Sequence, residues 1–295
     1  MRSYEFVTLD VFTTERFGGN PLAVVLGADG LADAEMQALA AEFNYSETTF
    51  VLRPDDPAST ARVRIFNRTH EMPFAGHPNV GTAYALAAEG IAVGDRHLFE
   101  ELAGVVEVEL ARNDDGSVRG ATIGAPQPLS LGPELPVGAI ASCLGLAPGQ
   151  VDASGHTPVV ASVGIGFALV CVTGDALATA APDPSAYSAL VEEIPELAGR
   201  LSIFAYIREG PGVRARMFAP LAGTWEDPAT GSASAAMVAL QLSLSPDDEL
   251  SLAIAQGVEM GRPSRIEARA WRTRTGIRAA VTGSCVPVFR GTISL

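Results

Sequence analysis

The sequence predicts an α/β (α+β) protein built from two similar domains, each wrapping a curved sheet around a buried helix. Three observations point there. Short runs with the two-residue period of strands recur along the whole chain. Two of them lead through a glycine-bearing turn into an Ala-rich apolar helix: Arg64-Ile-Phe66 precedes Gly76 and His77, and Arg216-Met-Phe218 precedes Gly231 and Ser232. Between the halves, Ala125 to Pro136 interrupts the pattern with repeated prolines and reads as a linker. The expected domains are residues 1–124 and 125–295, with the last strand free to return to the first.

The elements follow in order. Tyr4 to Phe12 alternates like a half-buried strand, and the breaker-dense turn Phe17 to Leu22 leads to a strand at Ala23 to Leu26. Asp33 is placed to cap a helix in which Met36, Leu39, Ala40 and Phe43 share one face, and Asn44 is a natural end. Strands are expected at Phe50–Leu52 and Ala61–Asn67. Pro78 suits the first position of the next helix and Gly90 its stop. In the second half, strands are expected at Thr157–Val163, Phe167–Val172, Leu201–Ile207 and Val213–Phe218. Asp183 and Pro184 open a capped helix, and Ser232 is placed to cap the Ala-rich one. Beyond that helix only strand-like runs and turns follow.

Composition narrows the function. Of 295 residues, 47% are apolar and 18% charged, as in an ordinary globular protein, and the net charge is −14. Without a basic stripe, nucleic acid and anionic membrane surfaces are poor partners. Three cysteines without CxxC spacing argue against a disulfide framework or thiolate metal site and for a reduced, cytoplasmic setting. The four histidines show no metal-protease spacing, so no metal is expected, and no GxGxxG motif follows a strand.

Candidate site residues gather at the turns. A helix that opens in a Gly-His turn presents backbone N–H groups beside a titratable imidazole, which suits a small carboxylate and a proton donor. Alone, Gly76-His77 would be a tight turn; a second helix-opening turn at Gly231-Ser232 strengthens the functional reading. Glu47 stands where a helix gives way to a strand between apolar segments, where part-burial raises a carboxyl pKa toward a useful range. Asn20, held extended before Pro21, presents its amide from a fixed loop.

The chain resembles the PhzF-type phenazine biosynthesis family, whose fold is diaminopimelate epimerase-like. The resemblance is carried by Asp10-Val-Phe12, Gly19-Asn-Pro21, Asn44-Tyr-Ser-Glu-Thr48, Phe74-Ala-Gly-His-Pro78 and Arg216-Met-Phe218. It continues through Glu226-Asp-Pro-Ala-Thr-Gly-Ser-Ala233, Gln256 to Ser264, and Arg290-Gly-Thr-Ile293. It implies two pseudo-symmetric domains with mostly antiparallel sheets, an active site in the cleft between them, a homodimer, and cofactor-free isomerisation of a small carboxylic acid such as a dihydro-hydroxyanthranilate. Carried over by residue, Glu47 removes and returns the proton while His77 and Asp227 assist. Asn20, Ser46, Gly76, Gly231 and Ser232 bind the substrate. The two cysteines of the related epimerases are missing from both turns, which disfavours a two-thiol mechanism. Arg68 and His70 are additions to the family pattern, expected at the surface or at a pocket rim. The alternatives are an epimerase or racemase of a small carboxylic acid, and a metabolite-binding protein of the same fold without turnover.

Overall fold

The alternating segment at the amino end forms β1 (Ser3–Val11), which pairs antiparallel with β2 (Asn20–Leu26). Helix α1 (Asp33–Phe43) then carries the chain across the sheet, so that β3 (Glu47–Leu52) lies parallel to β2. Strand β4 (Ala61–Phe66) runs antiparallel to β3, and the two-residue β5 (Glu71–Met72) folds back on β4. Helix α2 (Gly76–Ala88) is the second crossover and delivers β6 (Arg96–Glu101) parallel to β4. Strands β7 (Gly104–Arg112) and β8 (Val118–Gly124) complete an antiparallel meander.

The computed structural model describes residues 1–295, which divide into two units. The first comprises Met1–Gly124 with Thr282–Leu295, the second Ala125–Val281. The second unit contains β9 (Ser130–Glu134), α3 (Val137–Cys143), β10 (Val159–Ser162), β11 (Gly166–Cys171) and the short α4 (Ala176–Thr179). There follow α5 (Pro184–Glu193), β12 (Ile203–Glu209), β13 (Gly212–Ala219), β14 (Thr224–Asp227) and α6 (Gly231–Ser243). Strands β15 (Glu249–Gln256), β16 (Ser264–Thr273) and the long β17 (Gly276–Ser294) end the chain. The stretch read as a linker, 125–136, includes β9.

The two units repeat one another strand for strand. In the first, β1–β2 is antiparallel, β2–β3 parallel, β3–β4 and β4–β5 antiparallel, β4–β6 parallel and β6–β7 antiparallel. In the second, β10–β11, β11–β12, β12–β13, β13–β14, β13–β15 and β15–β16 pair in the same order of senses. In each, the helix after the short strand is the buried one. Helix α2 packs on β1, β2, β3, β7 and β8, and α6 packs on β10, β11, β15 and β16. Small residues make this enclosure possible: a Cβ on Gly81 of α2 would stand 2.5 Å from Leu22 Cδ2 and 2.9 Å from Val11 Cγ2. In the first unit β17 pairs with both β1 and β8, so the strand pairings run in a ring around α2.

Three helix starts differ from expectation. Asp33 is the first residue of α1 rather than its cap; Ala32 holds the cap position, and its N–H donates to Glu35 Oε2 at 2.8 Å. Helix α2 begins at Gly76, which makes Pro78 its third residue, and it ends at Ala88 before the left-handed Gly90. Ser232 is the second residue of α6, with Thr230 at the cap. The start of α5 is as expected, with Asp183 accepting from the N–H of Ser185 and of Ala186. No helix is long and apolar enough to cross a membrane.

Candidate active site

Parallel pairing of β2 with β3 brings together residues far apart in the chain. Asn20 opens β2, Glu47 opens β3 opposite Leu22, and Ser46 precedes it. The Ser46 hydroxyl donates to Asn20 Oδ1 at 2.8 Å. Helix α2 runs past β3, and its second residue, His77, sets Nδ1 3.4 Å from Glu47 Oε2. That is an ion-pair separation, and Glu47 Oε2 is buried without a hydrogen bond. The Glu47 and His77 side chains are only 16% and 6% exposed. Ala75, in extended conformation at the cap of α2, offers no side chain to the first N–H groups, so the Gly76 end keeps its positive field.

Burial is what tunes Glu47. Loss of solvent raises its pKa to about 7, while the Ser46 hydroxyl and the Arg68 charge pull the other way. A carboxyl so placed exchanges its proton near neutrality, as a group that must both take and return one requires. Arg68 is therefore half-buried and within electrostatic reach of Glu47, whereas His70 is exposed and its ring bonds to the Thr69 hydroxyl at 3.0 Å.

The second unit builds its turn differently. Asp227 ends β14 and is buried. The Thr230 hydroxyl donates to Asp227 Oδ2 at 2.5 Å instead of capping α6. Gln256, at the end of β15, locks the turn: its Nε2 donates to Asp227 O at 2.7 Å and to Thr230 Oγ1 at 3.0 Å, while Thr230 N donates to its Oε1 at 3.0 Å. Gly231 is buried, and Ser232 stands half-buried in the first turn of α6. No three His, Cys, Asp or Glu side chains gather as metal ligands would.

Just upstream of each turn stands the same clamp. Arg64 of β4 grips Glu71 of β5 through Nε and Nη2 at 2.7 and 2.5 Å, and its guanidinium lies 5.1 Å from the Phe66 ring centre. Arg216 of β13 grips Glu226 of β14 through the same two nitrogens, both at 2.8 Å, and lies 4.8 Å from the Phe218 ring centre. Four residues lie between each clamped glutamate and the glycine that opens its helix. The family model of the phenazine biosynthesis-like proteins, PhzC-PhzF, matches residues 9–291. The chain belongs to this family.

Relatives of this PhzC-PhzF protein agree. An uncharacterized isomerase of Mesorhizobium japonicum is 42% identical over 275 residues, 90% of each chain. The trans-2,3-dihydro-3-hydroxyanthranilate isomerase of Pseudomonas chlororaphis is 35% identical over 99% of this chain and 100% of its own. The crystal structure of the Bacillus anthracis phenazine biosynthesis protein, PhzF family, superposes with a TM-score of 0.89 at 26% identity, covering both chains completely. This PhzC-PhzF protein is an isomerase with the mixed α/β fold of its family.

Of the residues singled out from sequence, Asn20, Ser46, Glu47, Gly76 and His77 share the first unit, and Asp227, Gly231 and Ser232 share the second. Thr230 and Gln256 fall inside longer family-like stretches, and their shared hold on the Asp227 turn is not visible in the sequence. Thr230 could have been suspected from its spacing, three residues after Asp227. Nothing local marks Gln256, which arrives by the β13–β15 pairing.

Proposed function

We propose that this protein moves a proton within a small carboxylic acid, with Glu47 as the group that removes it from carbon and returns it. The single observation that carries the reading is the buried Glu47 carboxyl, set to titrate near neutrality and standing 3.4 Å from His77 Nδ1. His77 assists as a proton donor to the polar group on which negative charge develops, and the Gly76 end of α2 stabilises the same charge. Asn20, through its hydrogen bond with Ser46, fixes the approach to Glu47. The reading assigns Asp227, Gly231 and Ser232 to the same substrate, holding its carboxylate and ring substituents. A cyclic dihydro-hydroxyanthranilate is the first candidate, because a full-length relative bears that name.

The repeat favours isomerisation over inversion. Thr48 pairs with Phe66 and Ile203 with Phe218, so the counterpart of Glu47 in the second unit is Ser202. Inversion at carbon needs a group to take the proton on one face and another to deliver it on the opposite face. Ser202 is not a second acid or base matching Glu47, which favours a proton that leaves and returns through Glu47.

The test is turnover of trans-2,3-dihydro-3-hydroxyanthranilate in D2O. The expected result is migration of a double bond and no epimer of the starting acid, with deuterium at the new C–H position only to the extent that the Glu47 proton exchanges with solvent before its return. Glu47→Gln should lower kcat by about 10²–10⁴-fold with binding largely kept. Epimer formation without double-bond movement would overturn the reading, and so would a Glu47→Gln variant that keeps wild-type turnover.

A further inference from the structure

The two units place unlike residues at one matching position. In the second unit, Gln256 pairs with Ala215, one residue beyond the Arg214–Ala255 pair, and its amide locks the turn before α6. In the first unit β4 and β6 pair with Arg62 beside Glu100, so the residue matching Gln256 is Glu101, the last of β6. Both carboxyl oxygens of Glu101 are buried without a hydrogen bond. Close to it is the Asn79 amide, whose Nδ2 donates at 3.0 Å to Ala75 O, at the cap of the helix that presents His77. Two residues on, Ala103 N donates to Pro73 O at 3.1 Å, which ties the end of β6 to the far side of the same turn.

We propose that Glu101 is a positioning residue for His77: as a neutral acid it fills, in the first unit, the turn-holding place that the Gln256 amide fills in the second, and its ionisation loosens the turn. This assignment rests on His77 serving the reaction proposed above. A neutral carboxylic acid, like a primary amide, offers a donor and an acceptor side by side. A carboxylate offers acceptors only, in a place where the Asn79 amide is the donor at hand and offsets little of the burial, and that costs free energy. Burial accordingly raises the Glu101 pKa to about 8, against a weaker pull from Asn79.

Charged groups on the surrounding elements are engaged elsewhere, beginning with Arg62 of β4, which stands 3.5 Å from Asp55. On α2, His77 turns Nδ1 toward Glu47. On β5, Glu71 is clamped by Arg64, and on β6 Glu100 accepts from the N–H of Asp55 and Asp56. On β7, Glu107 pairs with Arg96.

The experiment is amide hydrogen exchange at Gly76, His77 and Asn79 between about pH 6 and 9, corrected for intrinsic exchange, in wild type, Glu101→Gln and Glu101→Ala. Wild-type protection should fall by about tenfold per pH unit as pH rises toward the Glu101 pKa of about 8, and level off above it. Glu101→Gln should hold its protection across the range, and Glu101→Ala should be poorly protected throughout. Turnover of trans-2,3-dihydro-3-hydroxyanthranilate should follow, with the alkaline fall in kcat present in wild type and lost in Glu101→Gln. A Gln variant with the wild-type pH dependence of exchange would overturn the proposal, as would an Ala variant protected like wild type. Should Glu101→Ala not fold, the comparison of Gln with wild type decides alone. The exchange readout needs no substrate, so a failed Glu47 mechanism and a failed Glu101 role give different results.

Discussion

At Glu47 the arrangement of a few atoms sets the pH at which the carboxyl ionises. The proposed first step takes a proton from carbon and so needs the carboxylate. With the pKa raised to about 7 by burial, kcat/KM should climb as pH rises through neutrality, ahead of the alkaline fall expected from Glu101. Arg68 moderates that value, since its charge favours the ionised form. Arg68→Gln should move the midpoint upward by about half a unit, the scale of a partly solvated charge pair. A pH profile of kcat/KM for the two proteins checks both statements. An unchanged midpoint would mean that Arg68 only lines the surface, one of the two expectations its sequence position allowed.

The strand pairs β4–β5 and β13–β14 show how identical motifs come to differ in worth. Arg216 is 8% exposed and adds to its glutamate clamp two bonds to buried carbonyls, Leu177 O at 2.9 Å and Ala180 O at 2.8 Å. Arg64 instead spends its remaining nitrogen on Asp33, a carboxylate 83% exposed. Removing one partner of a buried pair costs about 3–5 kcal/mol, and an exposed pair contributes about 1 kcal/mol or less. Arg216→Met should therefore destabilise by about 2 kcal/mol more than Arg64→Met, as read by urea denaturation. Equal losses would show that the solvated Asp33 bond matters as much as the buried ones. The sequence comparison of these two motifs was enough to suggest duplication, because Arg-x-Phe followed by a glycine turn is local. Strand periods and the cap of α5 were legible for the same reason. The starts of α2 and α6 were not: Pro78 and Ser232 look like helix openers, but Ala75 is already extended at the cap of one helix, and Asp227 takes the Thr230 hydroxyl at the other. Glu47 and His77 were named mainly through the family resemblance, since thirty residues separate them and only strand pairing with α2 running alongside brings them together. Gln256 and Glu101 needed the register of a parallel pair, which no local pattern encodes.

Over the whole molecule, burial of titratable groups narrows the pH range of greatest stability from both sides. Glu101 and Glu47 have folded pKa values of about 8 and about 7, above their unfolded value of 4.5. Below that value both states are protonated and neither group costs anything; as pH rises, the unfolded chain ionises first and stability falls until the folded pKa is passed. His97 acts in the opposite direction. It is fully buried beside Phe99, and burial lowers its pKa from 6.5 against a weaker pull from Gly94. As pH drops below 6.5 the unfolded chain takes up a proton that the folded one resists, so stability falls on the acid side. The two sides can be released separately. Glu101→Gln should leave the midpoint of thermal unfolding unchanged near pH 4.5 and raise stability by about 1–3 kcal/mol at pH values above 8, the usual scale for an unpaired buried polar group. His97→Leu should do the reverse, flattening the curve below pH 6.5 and leaving its alkaline side as it is in wild type. Thermal scans across the range distinguish this from a uniform change in packing, which would shift each curve by the same amount at every pH.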